Sequence, residues 1–74
     1  MKDYINMTLN QLLDERDALY GAIQNEKLWA FGAQDEQEAN MYMDNVEDLR
    51  AELRHVIMLI SQKRERGNAN ENLA

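Results

Sequence analysis

The stretch ANMYMDNVEDLRAELRHVIMLI, residues 39–60, decides the fold of this chain. Its apolar residues recur at alternating spacings of three and four, which is typical of a helix with a coiled-coil seam of a and d positions. The seam consists of Ala39, Tyr42, Val46, Leu49, Leu53, Val56 and Ile60. The pattern therefore predicts a long helix, over about 36–66, that packs along another helix.

An earlier helix is predicted from about residue 9 to residue 30. Thr8 and Gln11 have the spacing of a capping box, in which each side chain bonds to the backbone amide of the other residue. At about 100° per residue, one face of this helix gathers most of its apolar side chains, with Arg16 and Lys27 inside the same arc. The apolar members are Leu9, Leu12, Leu13, Leu19, Tyr20, Ile23, Ala30 and Phe31.

The two helices are predicted to be joined by a tight turn. Gly32 can end the first helix because glycine tolerates a positive φ, and Asp35 is placed to cap the second, with Glu38 at its third position. A connection this short makes the helices antiparallel neighbours. The expected fold is all-α: an antiparallel two-helix hairpin, with a helical domain over 1–66 and a disordered tail over 67–74.

The segment Val56–Ile60 is apolar on every side of its helix, so a single neighbouring helix leaves part of it uncovered. Tyr4 and Ile5 are candidates to fold over part of it. Chains of fewer than about 80 residues also rarely bury enough apolar surface to be stable alone. We expect a homodimer that forms a four-helix bundle. The residues expected in its core or dimer interface are Leu49, Leu53, Val56, Ile57 and Ile60.

Composition excludes several classes of protein. The sequence has no cysteine, which argues against a disulfide scaffold or a thiolate metal site and favours a reducing compartment. Its longest apolar run is far shorter than the ~20 residues of a membrane span, so we expect a cytoplasmic protein with no membrane partner. One histidine and few hydroxyl side chains leave no catalytic triad. The chain is expected to be no enzyme and to need no cofactor.

Glu52 and His55 have the i, i+3 spacing of a di-iron ligand pair, and Glu15 is level with Glu52 in an antiparallel hairpin. Both Glu52 and His55 fall outside the apolar seam, so the sequence favours surface residues over a metal site. Arg16, on the apolar face, is expected to reach Glu47, Asp48 or Glu52 on the opposite helix.

Leu28 and Trp29 project away from the core face if the first helix continues that far. Two interpretations remain open for Trp29: it caps the hydrophobic end of the hairpin after the helix breaks near Lys27, or it is a hot spot for a partner protein.

Charge is distributed unevenly along the chain. Eight basic and fourteen acidic residues give a net charge of -6, and residues 35–52 carry seven of the acids against Arg50 alone. Asp44, Glu47 and Asp48 project from one side of the second helix. An acidic surface of this kind attracts a basic partner and repels nucleic acid.

Three functions fit these features. The first is a protein-binding module, a small acidic accessory protein of the phage or plasmid type that inhibits a nucleic-acid-handling or defence protein. The second is an RNA-binding hairpin dimer, since the layout, though no motif, is similar to that of Rop-type plasmid copy-number regulators. The basic residues Arg54, Lys63, Arg64 and Arg66 would then contact phosphates. The third is a structural subunit of a larger assembly.

Overall fold

The chain folds into a helical hairpin. The computed structural model describes the backbone of residues 3–73 and the side chains of residues 3–66. Helix α1 spans Leu9–Phe31 and helix α2 spans Glu36–Leu73, and a short 3-10 turn at Tyr4–Asn6 precedes them. The two helices pack against each other, which confirms the predicted all-α hairpin. The molecule is an elongated rod of 59 × 17 × 14 Å.

The start of α1 is fixed by the predicted capping box. The Gln11 backbone amide donates to Thr8 Oγ1 at 3.2 Å, and the Thr8 amide donates to Gln11 Oε1 at 2.9 Å. These bonds satisfy two backbone donors that the first turn of a helix otherwise leaves unpaired. A signal four residues long in the sequence therefore sets the first residue of the helix.

The turn between the helices differs from the prediction at Gly32. This residue ends α1 with a φ of -90°, so the positive φ expected of a glycine cap is not used. Its amide instead donates to the Leu28 carbonyl at 3.1 Å. Asp35 caps α2 as predicted, because its Oδ1 accepts from the Glu38 amide at 2.7 Å. The Glu38 side chain completes no capping box and bonds to Tyr42 instead.

A single row of side chains between the two helices forms the core, and it follows the predicted seam. Leu12 on α1 and Val46 and Val56 on α2 are fully enclosed. The buried residues are Tyr4, Leu12, Leu19, Ile23, Val46, Leu53, Val56, Leu59 and Ile60. Leu49 is partly buried against them. Within one chain Ile57 lies off this row and is 42% exposed, so its predicted place in a dimer interface stays a prediction.

Two aromatic residues predicted on the core face of α1 lie largely in solvent. Phe31 is 95% exposed, because it is the last residue of α1 and the chain turns away before α2 can cover it. Tyr20 is 49% exposed. On the helical wheel Tyr20 lies about 80° from the direction of Leu12, Leu19 and Ile23, at the edge of the face.

Tyr4 belongs to the same core cluster as Val56, Leu59 and Ile60 of the apolar segment. Of the two residues that were candidates to fold over this segment, Tyr4 is buried and Ile5 is 66% exposed. Met58 remains 49% exposed on the outer side of α2. The homodimer expected to cover this segment stays a prediction.

Beyond Arg66 the backbone of α2 continues as a helix to Leu73, past the predicted end. Side chains from residue 67 onward, including the predicted Gly67 cap, lie outside the described residues, so the predicted disordered tail over 67–74 stays a prediction. Over the residues that the structure describes, neither helix combines the length and hydropathy required to cross a bilayer.

Candidate partner-binding surface

Large apolar side chains are exposed where the two helices meet the turn. Leu28 is 68% exposed and Trp29 is 55% exposed. Phe31 and Met41 are also exposed, and we call these four residues the turn-end surface. Helix α1 runs through Phe31, so the interpretation in which it breaks near Lys27 is wrong.

Trp29 is held in place by a contact across the hairpin. Its ring lies 6.0 Å from the ring of Tyr42, with the two planes inclined at 53°. The sequence had placed Trp29 about 200° from Leu9 and therefore away from the core. The core direction of α1 is set by Leu12, Leu19 and Ile23 and lies about 60° from Leu9 on the side toward Trp29, so Trp29 is about 100° from it. Trp29 therefore lies at the flank of the core, half covered by Tyr42 and half open.

Tyr42 connects this aromatic contact to two carboxylates. Its hydroxyl donates to Glu38 Oε1 at 3.3 Å, one turn earlier on α2. Partial burial of the ring, followed by the negative charge and the hydrogen bond of Glu38 and the charge of Glu26, raises the pKa of the Tyr42 phenol above its ordinary value of 10.0. Glu26 in turn accepts from the Asn45 amide at 3.4 Å. The turn-end surface therefore adjoins carboxylates from both helices.

The predicted acidic residues lie on the outer face of α2. Asp44, Glu47 and Asp48 are all exposed, and none of them forms an ion pair with another described residue. Glu47 and Asp48 line a shallow surface recess together with Arg50 and Arg54. Arg50 and Arg54 therefore lie next to these carboxylates without forming ion pairs with them.

The structure does not bring all the predicted binding residues to one surface. Leu28 points away from α2, and the three carboxylates point away from α1, since each is more than about 100° from the core direction of its helix. Trp29, at the flank, lies between these two outer faces. A partner that contacts both Leu28 and the three carboxylates of α2 therefore has to extend around the turn end of the hairpin or along its flank.

Arg16 does not reach across to α2 as predicted. Its guanidinium lies 3.2 Å from Asp17 Oδ1, on the next residue of the same helix, and the Arg16 side chain is one-third exposed. On the helical wheel Arg16 is about 40° from the core direction, so its stem lies beside the core and its charged end reaches solvent. The Asp17 carboxylate lies at the surface beside this charged end. An ion pair with it avoids the desolvation that the Arg16 guanidinium would undergo in crossing the core.

A groove runs along one flank of the hairpin. Its volume is about 560 Å³, and its floor includes Leu19 and Leu49 beside the small residues Ala18 and Ala22. Glu15 of α1 and Glu52 of α2 both line it, in agreement with their predicted antiparallel alignment. Tyr4 closes one end, with its ring 6.0 Å from the ring of His55 and nearly perpendicular to it. Two sequence signals pointed to this arrangement: the alignment of Glu15 with Glu52, and the apolar Tyr4–Ile5 pair before the Thr8 cap.

Among the described residues no three His, Asp or Glu side chains converge on a point that a metal ion could occupy. His55 faces Tyr4 in the contact just described rather than a set of carboxylates.

The fold and the surface define a small helical hairpin with an acidic outer helix and an uncovered aromatic turn end. Comparison with protein-family models gives no match, and comparison with curated proteins and with solved structures gives no significant similarity.

Proposed function

We propose that this chain is a non-enzymatic protein-binding module of the cytoplasm. The observation that carries the proposal is the exposure of Leu28 and Trp29, at 68% and 55%. Large apolar side chains exposed together at one end of a small protein support an interaction site there, and tryptophan is enriched among residues that dominate binding energy. Because the ring of Trp29 already packs on Tyr42, little side-chain freedom is lost when a partner covers it.

The charge around the turn-end surface supports a partner with a basic surface. Glu26 and Glu38 lie beside the Trp29–Tyr42 contact, and Asp44, Glu47 and Asp48 extend the acidity along the outer face of α2. Carboxylates at the rim of an apolar patch steer a basic partner and raise its rate of association. Basic surfaces of this kind are typical of proteins that bind nucleic acid.

A more specific proposal follows from the match between this acidic surface and a basic partner. The chain acts as a small accessory protein of the phage or plasmid type, which occupies the nucleic-acid site of its target with carboxylates where phosphates would lie. In this proposal Trp29 and Leu28 supply most of the affinity, and Asp44, Glu47 and Asp48 supply the preference for a nucleic-acid-handling protein.

The experiment is affinity capture from an extract of the producing cell with three baits. They are the wild-type chain, the variant Leu28→Ala with Trp29→Ala, and the variant Asp44→Asn with Glu47→Gln and Asp48→Asn. We expect the wild type to retain a nucleic-acid-binding protein that both variants lose. We also expect the purified chain to displace labelled DNA or RNA from that protein, less effectively as salt rises.

Four results would overturn the proposal. Equal capture by all three baits would show that neither surface is used. Capture without displacement of nucleic acid would remove the mimicry mechanism. A gel shift of structured RNA by the wild-type chain would favour the RNA-binding regulator instead, and an isolated chain that fails to fold would favour an obligate subunit of a larger assembly.

A further inference from the structure

Two carboxylates, one from each helix, lie beside the Trp29–Tyr42 pair. Glu38 Oε1 accepts from the Tyr42 hydroxyl at 3.3 Å. Burial of the ring is the first cause of the raised pKa of Tyr42, and the negative charges of Glu38 and Glu26 add to it, so both carboxylates lie near that hydroxyl. Glu26 also precedes Trp29 by three residues, which makes their side chains neighbours on the surface of α1.

None of the described residues supplies a cation to these two carboxylates. Both side chains are partly buried, and neither forms an ion pair. Their hydrogen bonds come from neutral groups, the Tyr42 hydroxyl and the Asn45 amide. Lys27 lies on the other side of the core direction, about 100° from Glu26 around the axis of α1. Since a carboxylate accepts several hydrogen bonds, both retain acceptor sites and negative charge for a cation from another molecule.

An open aromatic face and a recess adjoin these acceptors. The ring of Trp29 is 55% exposed, although it packs on Tyr42. Glu38 also lines a shallow recess of about 460 Å³ together with the exposed Met41. This arrangement suits a side chain that is cationic at its tip and apolar along its stem.

Among cationic side chains, arginine has the chemistry that fits best. Its guanidinium is planar and weakly hydrated, it stacks on aromatic rings, and its five N–H donors can bond to more than one carboxylate at once. The ammonium of lysine is a compact and strongly hydrated charge. It therefore loses more solvation when it is held between partly buried carboxylates.

We propose that an arginine side chain of the partner protein binds between Glu26 and Glu38, with its guanidinium on the open face of Trp29. This site rests on the proposed function, because it names the group through which a basic partner contacts the turn-end surface. It does not require that the partner bind nucleic acid. Apolar residues next to that arginine would lie in the recess beside Met41.

The probe is a short peptide with blocked ends that carries one arginine between two leucines. Its matched versions carry lysine, or citrulline as the uncharged isostere of arginine. Trp29 is the only tryptophan of the sequence, so its fluorescence reports binding at this position. At a constant ionic strength of about 0.15 M, we expect the arginine peptide to bind about tenfold more tightly than the citrulline peptide and about threefold more tightly than the lysine peptide.

Two variants test whether the preference for arginine arises at these carboxylates. Glu26→Gln with Glu38→Gln removes both charges, and the amide oxygens can still accept from Asn45 and Tyr42. This variant should bind the arginine and citrulline peptides equally. The matched control, Asp44→Asn with Glu47→Gln, removes the same number of charges from the outer face of α2 and should keep the preference. Circular dichroism verifies that both variants keep their helices.

The site is overturned if the wild type binds no arginine peptide, or binds the arginine and citrulline versions equally. It is also overturned if the control loses the preference as fully as the Glu26 and Glu38 variant does, since the attraction would then be general. Tighter binding of lysine than of arginine would contradict the stacking on Trp29.

The peptide experiment and the affinity capture fail separately. A partner captured through Leu28 and Trp29, together with peptides that show no preference for arginine, would remove this site and leave the proposed function intact. A clear preference for arginine, together with equal capture by all three baits, would support the site and overturn the proposed function.

Discussion

The rings of Trp29 and Tyr42 lie 6.0 Å apart across the turn end of the hairpin. One comes from α1 and the other from α2, so the contact ties the last turns of α1 to the first turns of α2. It also fixes the orientation of the exposed tryptophan that we propose as the main contact with a partner. The first prediction concerns this pair.

A double-mutant cycle of Trp29→Ala and Tyr42→Ala should give a coupling free energy of about 0.5–1.5 kcal/mol, the usual range for a packed aromatic pair. The measurement is urea unfolding of the four proteins, followed by circular dichroism. As a control, a cycle of Trp29→Ala with the distant Met58→Ala should show additive effects. Additivity within error for Trp29 and Tyr42 would contradict the contact.

The second prediction concerns the alkaline titration of Tyr42. Because the pKa of its phenol is raised in the folded chain, the unfolded state releases this proton at lower pH than the folded state does. The stability contribution is therefore fully present below pH 10 and is lost as the pH rises through the folded pKa. Absorbance titration of the wild type and of Tyr42→Phe should show that the variant lacks a tyrosine that ionises above pH 10. If the variant instead lacked a tyrosine that ionises at or below pH 10, the hydrogen bond to Glu38 would be absent in solution.

Two leucines of α1 provide a matched pair for the core. Leu12 is completely buried and Leu28 is 68% exposed. We expect Leu12→Ala to lower the free energy of unfolding by about 2–5 kcal/mol, since it leaves a cavity. Leu28→Ala should change it by less than about 0.5 kcal/mol. Thermal and denaturant unfolding measure both. Equal destabilisation by the two substitutions would mean that Leu28 is covered in solution, which would support an assembled form.

Gly21, within α1, and Gly32, which follows α1, are expected to respond differently to alanine. A Cβ at Gly21 meets no atom within 4 Å, so Gly21→Ala should stabilise the chain by about 1 kcal/mol through the higher helix propensity of alanine. At Gly32 a Cβ lies 3.6 Å from the Leu28 carbonyl oxygen, an ordinary contact. Since φ there is negative, Gly32→Ala should be tolerated with little change in melting temperature. A large loss at Gly32 would indicate a left-handed turn in solution.

Local sequence signals determined the helices and most of the core. The Thr8–Gln11 capping box set the start of α1, and the Asp35 cap set the start of α2. The alternating seam from Val46 to Ile60 identified the buried side of α2. These predictions succeeded because a helical wheel and a cap depend on residues within one or two turns of each other.

Contacts between distant residues were decided by the tertiary structure. The sequence could not predict that Tyr4 would lie on His55, that Arg16 would pair with Asp17, or that Trp29 would reach Tyr42. Each depends on the rotation of a helix about its own axis and on the path of the chain before α1, and a small rotation moves a residue from the core to its edge. Periodicity therefore determined which residues are helical and apolar. The packing of α1 against α2 decided which of them remain exposed, because exposure depends on the mutual orientation of the two helices.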